Sequence, residues 1–181
     1  MKEILSQLPA DLPASVLVVK HLDPKLKSLL VELLQPRCQI RIKEAVDGER
    51  MEKSVVYIAP PDRHLMISDG KMHLTSTEFV HFSRPSIDLM FESVAGSMDG
   101  KAIGVILTGG GFDGAMGIKA IKERGGTTIA QDPKTAEFKF MPQSAIDTGM
   151  VDFILPIKDI APTIISLITK GDKFPAYVTR N

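Results

Sequence analysis

The sequence predicts an α/β fold: a doubly wound, mostly parallel, Rossmann-like sheet with an antiparallel β-ribbon at one edge. Three observations predict it. Short apolar runs alternate with stretches of helical periodicity along most of the chain. The run at residues 103–107 is apolar without alternation, the pattern of a strand covered on both faces. Between residues 40 and 75 the segments are shorter and alternate, and Asp69-Gly70 separates two of them, a strong hairpin signal.

Composition narrows the class further. The chain has 181 residues, 22 basic and 22 acidic groups, and 44% hydrophobic residues, enough for one domain with a sizeable core. Residues 1–170 are read as that domain and 171–181 as a loose tail. A formal charge of zero argues against a broad nucleic-acid surface. The single Cys38 permits no internal disulfide and fits a reducing compartment. No apolar run reaches membrane-spanning length and no signal-peptide core opens the chain, so no membrane insertion and a cytoplasmic location are expected.

Each element has its own justification. Ile4, Leu5 and Leu8 stand at helical spacing, although no capping residue precedes them. Residues 16–20 form a strand, with His21 immediately after it. Pro24 opens a helix to about Leu34 that turns its leucines inward. Residues 40–43, 55–58 and 65–67 are short strands, and the antiparallel ribbon is placed among them. Ser86 is the natural N-cap of a helix over residues 87–98. The central strand and the triple glycine follow, then a helix from Asp113 closed by Gly125-Gly126. Strands at 127–130 and 153–155 alternate with helices at 141–148 and 157–169.

Two side chains stand out for chemistry. His21 and Asp113 each follow an apolar strand, at the carboxyl edge where open α/β sheets place their sites. The plainer readings are a hydrogen-bonded structural histidine and an aspartate capping its own helix. Gly109, Gly110 and Gly111 allow a sharp turn and close backbone approach to a ligand. A phosphate cradle over residues 109–117 fits poorly, because Asp113 would repel the anion and no Walker-type lysine follows. His64, His73 and His81 lack metal-ligand spacing with any cysteine and are read as structural, so no metal and no cofactor are expected.

Several ordered segments resemble the catalytic domain of the chemotaxis protein-glutamate methylesterases, the CheB family. They are Leu8-Pro9-Ala10-Asp11, Val18-Val19-Lys20-His21, Val56 through Leu65, Arg84-Pro85-Ser86-Ile87-Asp88, Gly104 through Gly109 with Asp113-Gly114, Ala130-Gln131-Asp132, and Met141-Pro142 with Ala145-Ile146. Residues 132–138 also resemble the branch in which this domain is fused to the receptor methyltransferase. The resemblance implies hydrolysis of glutamate methyl esters, and deamidation of glutamines, on methyl-accepting chemoreceptors by a Ser-His-Asp triad. It matches His21 to the general base and Asp113 to its orienting carboxylate, with the glycine loop as oxyanion site. A separate or fused methyltransferase or receiver domain is the implied partner in control.

The resemblance also marks departures. The family's serine lies in a Gly-x-Ser-x-Gly-Gly turn ahead of the helix that starts here at Met1, and the 181 residues contain no such turn. Ser6 and Ser15 are not expected to replace it. Gly110 stands for a methionine, Phe112 for a polar residue and Phe140 for a glycine. The expectation is a triad with two members present. The alternative is a non-catalytic receptor-binding or regulatory module. The family's first strand would also lie beside the strands ending at His21 and Leu107, so those strands should close the gap, borrow a strand or lose stability.

Overall fold

The computed structural model describes residues 1–21, 28–80 and 83–170. Its elements run α1 (Lys2–Leu5), β1 (Val16–Val18), α2 (Leu30–Leu34), β2 (Arg41–Glu44), β3 (Val55–Ile58), β4 (His64–Ser68), β5 (Lys71–Thr75) and α3 (Ile87–Ser97). They continue with β6 (Ile103–Ile106), α4 (Ala115–Glu123), β7 (Thr127–Gln131), α5 (Phe140–Asp147), β8 (Phe153–Leu155) and α6 (Ile157–Lys170). The expected start of a helix at Pro24, the inward Leu26, His81 and the tail lie outside the described residues.

The parallel part of the fold is two three-stranded sheets, ordered β1-β3-β2 and β6-β7-β8. β4 and β5 form a separate antiparallel hairpin, with Asp69 and Gly70 both at positive φ in its turn. That positive φ at both central residues is what a tight hairpin turn requires, and Asp-Gly supplies it. The sequence reading placed the ribbon among residues 40–75. In fact β2 and β3 join the parallel sheet, and only β4 and β5 are antiparallel. Short alternating segments carry no signal of direction; that is set by the connection and by the partner strand.

β3 is buried along its whole length and β7 nearly so, because each lies between two strands. β1 and β6 behave otherwise. All three residues of β1 are only half-buried, as are Ile103 and Val105 of β6. Each has a strand partner on one side only among the described residues. The two strands nevertheless belong to one layer. On one face α1 and the turn after it span both sheets, with Leu5 and Leu8 in a cluster with Val16 and Val18, and Ile4 in a cluster with Ile103 and Val105. On the other face Leu17 and Val19 share a core with Ala102, Ile106 and Phe91. A seam therefore runs between β1 and β6, and the strands do not close it by pairing.

Candidate active site

His21 and Asp113 meet at the carboxyl end of this seam. The His21 Nε2 lies 2.8 Å from the Asp113 Oδ2. The carboxylate is 4% exposed and the imidazole 34%, so one partner is fixed inside the protein while the other fronts solvent. This is His21's one side-chain hydrogen bond among the described residues. It engages Nε2 and leaves Nδ1 as the ring nitrogen without a hydrogen-bond partner among the described residues.

Asp113 does not cap its own helix. Gly114, at φ 101°, is the N-cap residue of α4 and contributes no side-chain bond. The Asp113 carboxylate instead reaches the start of α3. It accepts from the Ile87 N–H at 2.8 Å, the Asp88 N–H at 3.0 Å and the Ser86 hydroxyl at 3.0 Å. It thereby satisfies first-turn amides that have no partner within their helix. Ser86 keeps the capping role read from the sequence, its oxygen accepting from the Leu89 N–H at 3.4 Å.

The exchange is reciprocal. Asp88, buried in the first turn of α3, accepts through Oδ1 from the Gly114 and Gly117 N–H groups at 2.9 and 2.7 Å. Two carboxylates thus cross between the N-termini of α3 and α4, each holding amides of the other helix, where the helix dipole favours negative charge. Burial pushes the Asp113 carboxyl upward. The hydrogen bonds from His21, the two amides and Ser86 outweigh burial and hold it below its ordinary value.

The glycine loop is anchored at its start. Gln131 Oε1 accepts from the Thr108 N–H at 2.9 Å, and the Gly109 N–H donates to the Phe138 carbonyl at 3.0 Å. A side chain at Gly109 would strike the Met141 sulfur, so close packing explains that glycine. Among the described residues the neighbouring Gly110 and Gly111 N–H groups have no acceptor, and the two glycines line a cleft of about 90 Å³ with His21, Ser83, Phe112 and Asp113. Of the three loop glycines, these two line the cleft.

Other serines divide clearly. Ser6 donates to the Glu3 carbonyl and Ser15 to the Glu52 carbonyl, both away from the cleft. Ser83 lines the cleft, and nothing in the sequence distinguishes it from an ordinary loop serine. Its loop is held by Arg84, which donates to the Asp62 carboxylate at 2.6 and 2.8 Å and stacks on Phe79 with its charge 4.4 Å from the ring centre. Asp88 was also missed as a functional support; its residue type in the first turn of a helix is too common to single out.

His64 is fully buried; its Nδ1 accepts the Ser86 N–H and its Nε2 bonds the Glu78 carbonyl. Among the described residues no cluster of histidine, cysteine, aspartate and glutamate could hold a metal ion, and no helix is long and apolar enough to cross a membrane.

The family model of the CheB methylesterase matches residues 1–164. A putative protein-glutamate methylesterase/protein-glutamine glutaminase of Leptospira interrogans is 44% identical over 168 residues, which span 92% of this chain and 87% of that protein. A protein-glutamate methylesterase/protein-glutamine glutaminase of Pyrococcus horikoshii is 37% identical, over 98% of this chain but only 50% of its own length. The crystal structure of the Thermotoga maritima CheB methylesterase catalytic domain superposes with a TM-score of 0.88 at 36% identity, covering 92% of this chain and 90% of that one. With matches of this extent running through the His21–Asp113 pair and the glycine loop, the chain belongs to the CheB methylesterase family.

Proposed function

We propose that this chain serves hydrolysis of glutamate methyl esters, and deamidation of glutamines, on methyl-accepting chemoreceptors in the cytoplasm. The observation that carries the reading is the 2.8 Å His21–Asp113 contact at the mouth of a cleft lined by Gly110 and Gly111. In this chemistry a serine oxygen attacks the ester carbonyl and its proton passes to His21 Nδ1. Asp113 holds the proton on Nε2, fixes the ring and steadies the imidazolium. The amides of Gly110 and Gly111, which line the cleft, are the proposed donors for the oxyanion. The imidazolium then returns the proton to departing methanol, and water repeats the sequence on the acyl-enzyme. Residues 1–170 act as the catalytic unit, with control supplied by a separate or fused methyltransferase or receiver domain. No cofactor is required.

A second reading has its own observation. No serine hydroxyl among the described residues hydrogen-bonds His21, and the Gly-x-Ser-x-Gly-Gly turn is not in the sequence. On this reading residues 1–181 bind methylated receptor without turning it over.

Methanol release from methylated receptor separates the two. Residues 1–181 alone should release little, and the same residues preceded by a Gly-x-Ser-x-Gly-Gly segment should be faster by several orders of magnitude. In the extended protein, His21→Ala should remove most of that gain. Equal turnover by both versions would defeat the two-member triad; loss of that turnover in Ser83→Ala would then identify Ser83 as nucleophile. No turnover by the extended protein would leave the binding module as the better account.

A further inference from the structure

We infer that His64 is a positioning residue for the His21–Asp113 pair, acting through Ser86 on the carboxylate oxygen that His21 does not use. The inference deepens the proposed ester chemistry and rests on that reading for the purpose of the pair. His64 opens β4 and belongs to neither of the helices that meet at the site. Its ring is nonetheless one residue removed from the carboxylate. The Ser86 N–H donates to His64 Nδ1 at 3.1 Å, and the Ser86 hydroxyl donates to Asp113 Oδ1 at 3.0 Å. Asp113 Oδ2 in turn meets His21 Nε2 at 2.8 Å.

Donor and acceptor roles leave the His64 ring a single form. A backbone N–H can only donate, so Nδ1 must be the bare nitrogen. A carbonyl can only accept, so Nε2, 3.1 Å from the Glu78 oxygen, must carry the proton. The other neutral tautomer sets donor against donor at Ser86 and acceptor against acceptor at Glu78. An imidazolium would satisfy Glu78 and lose Ser86. Only the neutral ring protonated on Nε2 holds both, and His64 is fully buried, where an unpaired polar group is costly.

A buried histidine with both nitrogens bonded would need no further explanation on its own. Two observations carry it further. Among the described residues neither the Ser86 N–H nor the Glu78 carbonyl has another partner, so this ring ties Glu78 to Ser86 within the connection from β5 to α3. Ser86 is itself buried and committed: its hydroxyl proton goes to Asp113, while its oxygen accepts the Leu89 N–H. Fixing the Ser86 amide therefore fixes the direction of its hydroxyl. With that goes one of the four bonds that set the plane of the Asp113 carboxylate and aim its second oxygen at His21.

The test is proton and nitrogen NMR on the 181-residue protein and three variants. Wild-type His64 should be the Nε2–H form, with a coupling across the hydrogen bond between the Ser86 amide nitrogen and Nδ1. The His21 Nε2–H proton, held against Asp113, should resonate downfield of the amides. His64→Asn sets an amide oxygen near the place of Nδ1 and keeps the acceptor for Ser86; His64→Gln reaches the place of Nε2 and keeps only the bond to Glu78. Each loses one bond, so a histidine that serves packing alone predicts the same effect from both. Positioning predicts that the downfield His21 resonance survives in His64→Asn and is lost in His64→Gln. Ser86→Ala keeps the amide that binds His64 and removes the hydroxyl, and it too should lose the resonance; it decides the matter where a His64 variant does not fold. An Nδ1–H form of His64, a His21 resonance indifferent to His64→Gln or Ser86→Ala, or its loss in both His64 variants alike would overturn the positioning role and leave the ester reading standing. A wild type without the His21 resonance would remove the pair itself, and both readings with it. Failure of the ester reading alone would show as no methanol release by the serine-bearing extended protein while the His21 resonance and its dependence on His64 persist.

Discussion

Asp113 carries four side-chain hydrogen bonds: it bonds His21 and holds two amides and a hydroxyl at the start of α3. Substitution there should therefore affect stability as well as chemistry. Asp113→Ala leaves buried donors without an acceptor, at about 1–3 kcal/mol each, and should lower the urea midpoint clearly. The pH dependence has a definite sign. The folded carboxyl lies below its ordinary value, so its contribution is complete above the unfolded pKa, about 3.9, and is lost as pH falls through the folded one. Urea midpoints for wild type and Asp113→Asn should thus differ most near neutrality and converge below about pH 4. A constant difference down to strong acid would assign the effect to packing alone. The sequence made His21 and Asp113 visible because both follow apolar strands. It did not reveal which helix Asp113 serves, since a cap donated across the fold leaves no local spacing to read.

At the scale of elements, α3 and α4 are locked at their N-termini by exchanged carboxylates, and this requires the two backbones to approach closely. Glycine makes that possible. A side chain at Gly117 would come within 2.5 Å of the Phe91 Cβ, and one at Gly114 within 2.4 Å of the Ile106 side chain, where φ is also positive. Gly117→Ala should therefore destabilise by about 1–3 kcal/mol, read as a lower denaturation midpoint. Gly110→Ala meets nothing within 4 Å and should leave the midpoint unchanged within error, so the pair discriminates packing from general sensitivity to glycine loss. Most helices and strands were legible from periodicity: α3, α4, β7 and β8 lie within a residue or two of where the pattern puts them. The direction of β2 and β3 was not, because alternation reports burial and says nothing of which neighbour a strand will choose.

The whole molecule is divided by the seam between β1 and β6, tied at its carboxyl end by His21 and Asp113 and spanned on one face by α1. Strand edges left without partners favour self-association, and they forgo hydrogen bonds that a further parallel strand would make. Placing an apolar strand and glycine turn ahead of Met1 should raise the denaturation midpoint and reduce concentration-dependent association in sedimentation. A monomer with an unchanged midpoint would show that the seam costs nothing. The resemblance to a family with a strand in that place made the seam foreseeable; composition and periodicity could not, because no residue records the absence of a neighbour. The seam also sets a clock. In most sheets the interior amides are the last to exchange their hydrogens with water and the margins the first. Here the order should invert across part of the fold. The amides of β3 and β7, paired on both sides, should hold their protons longest, while those of β1 and β6 that point into the seam should exchange on the timescale of loops. The His21–Asp113 pair would then stand at the end of the fastest-breathing line in the sheet layer.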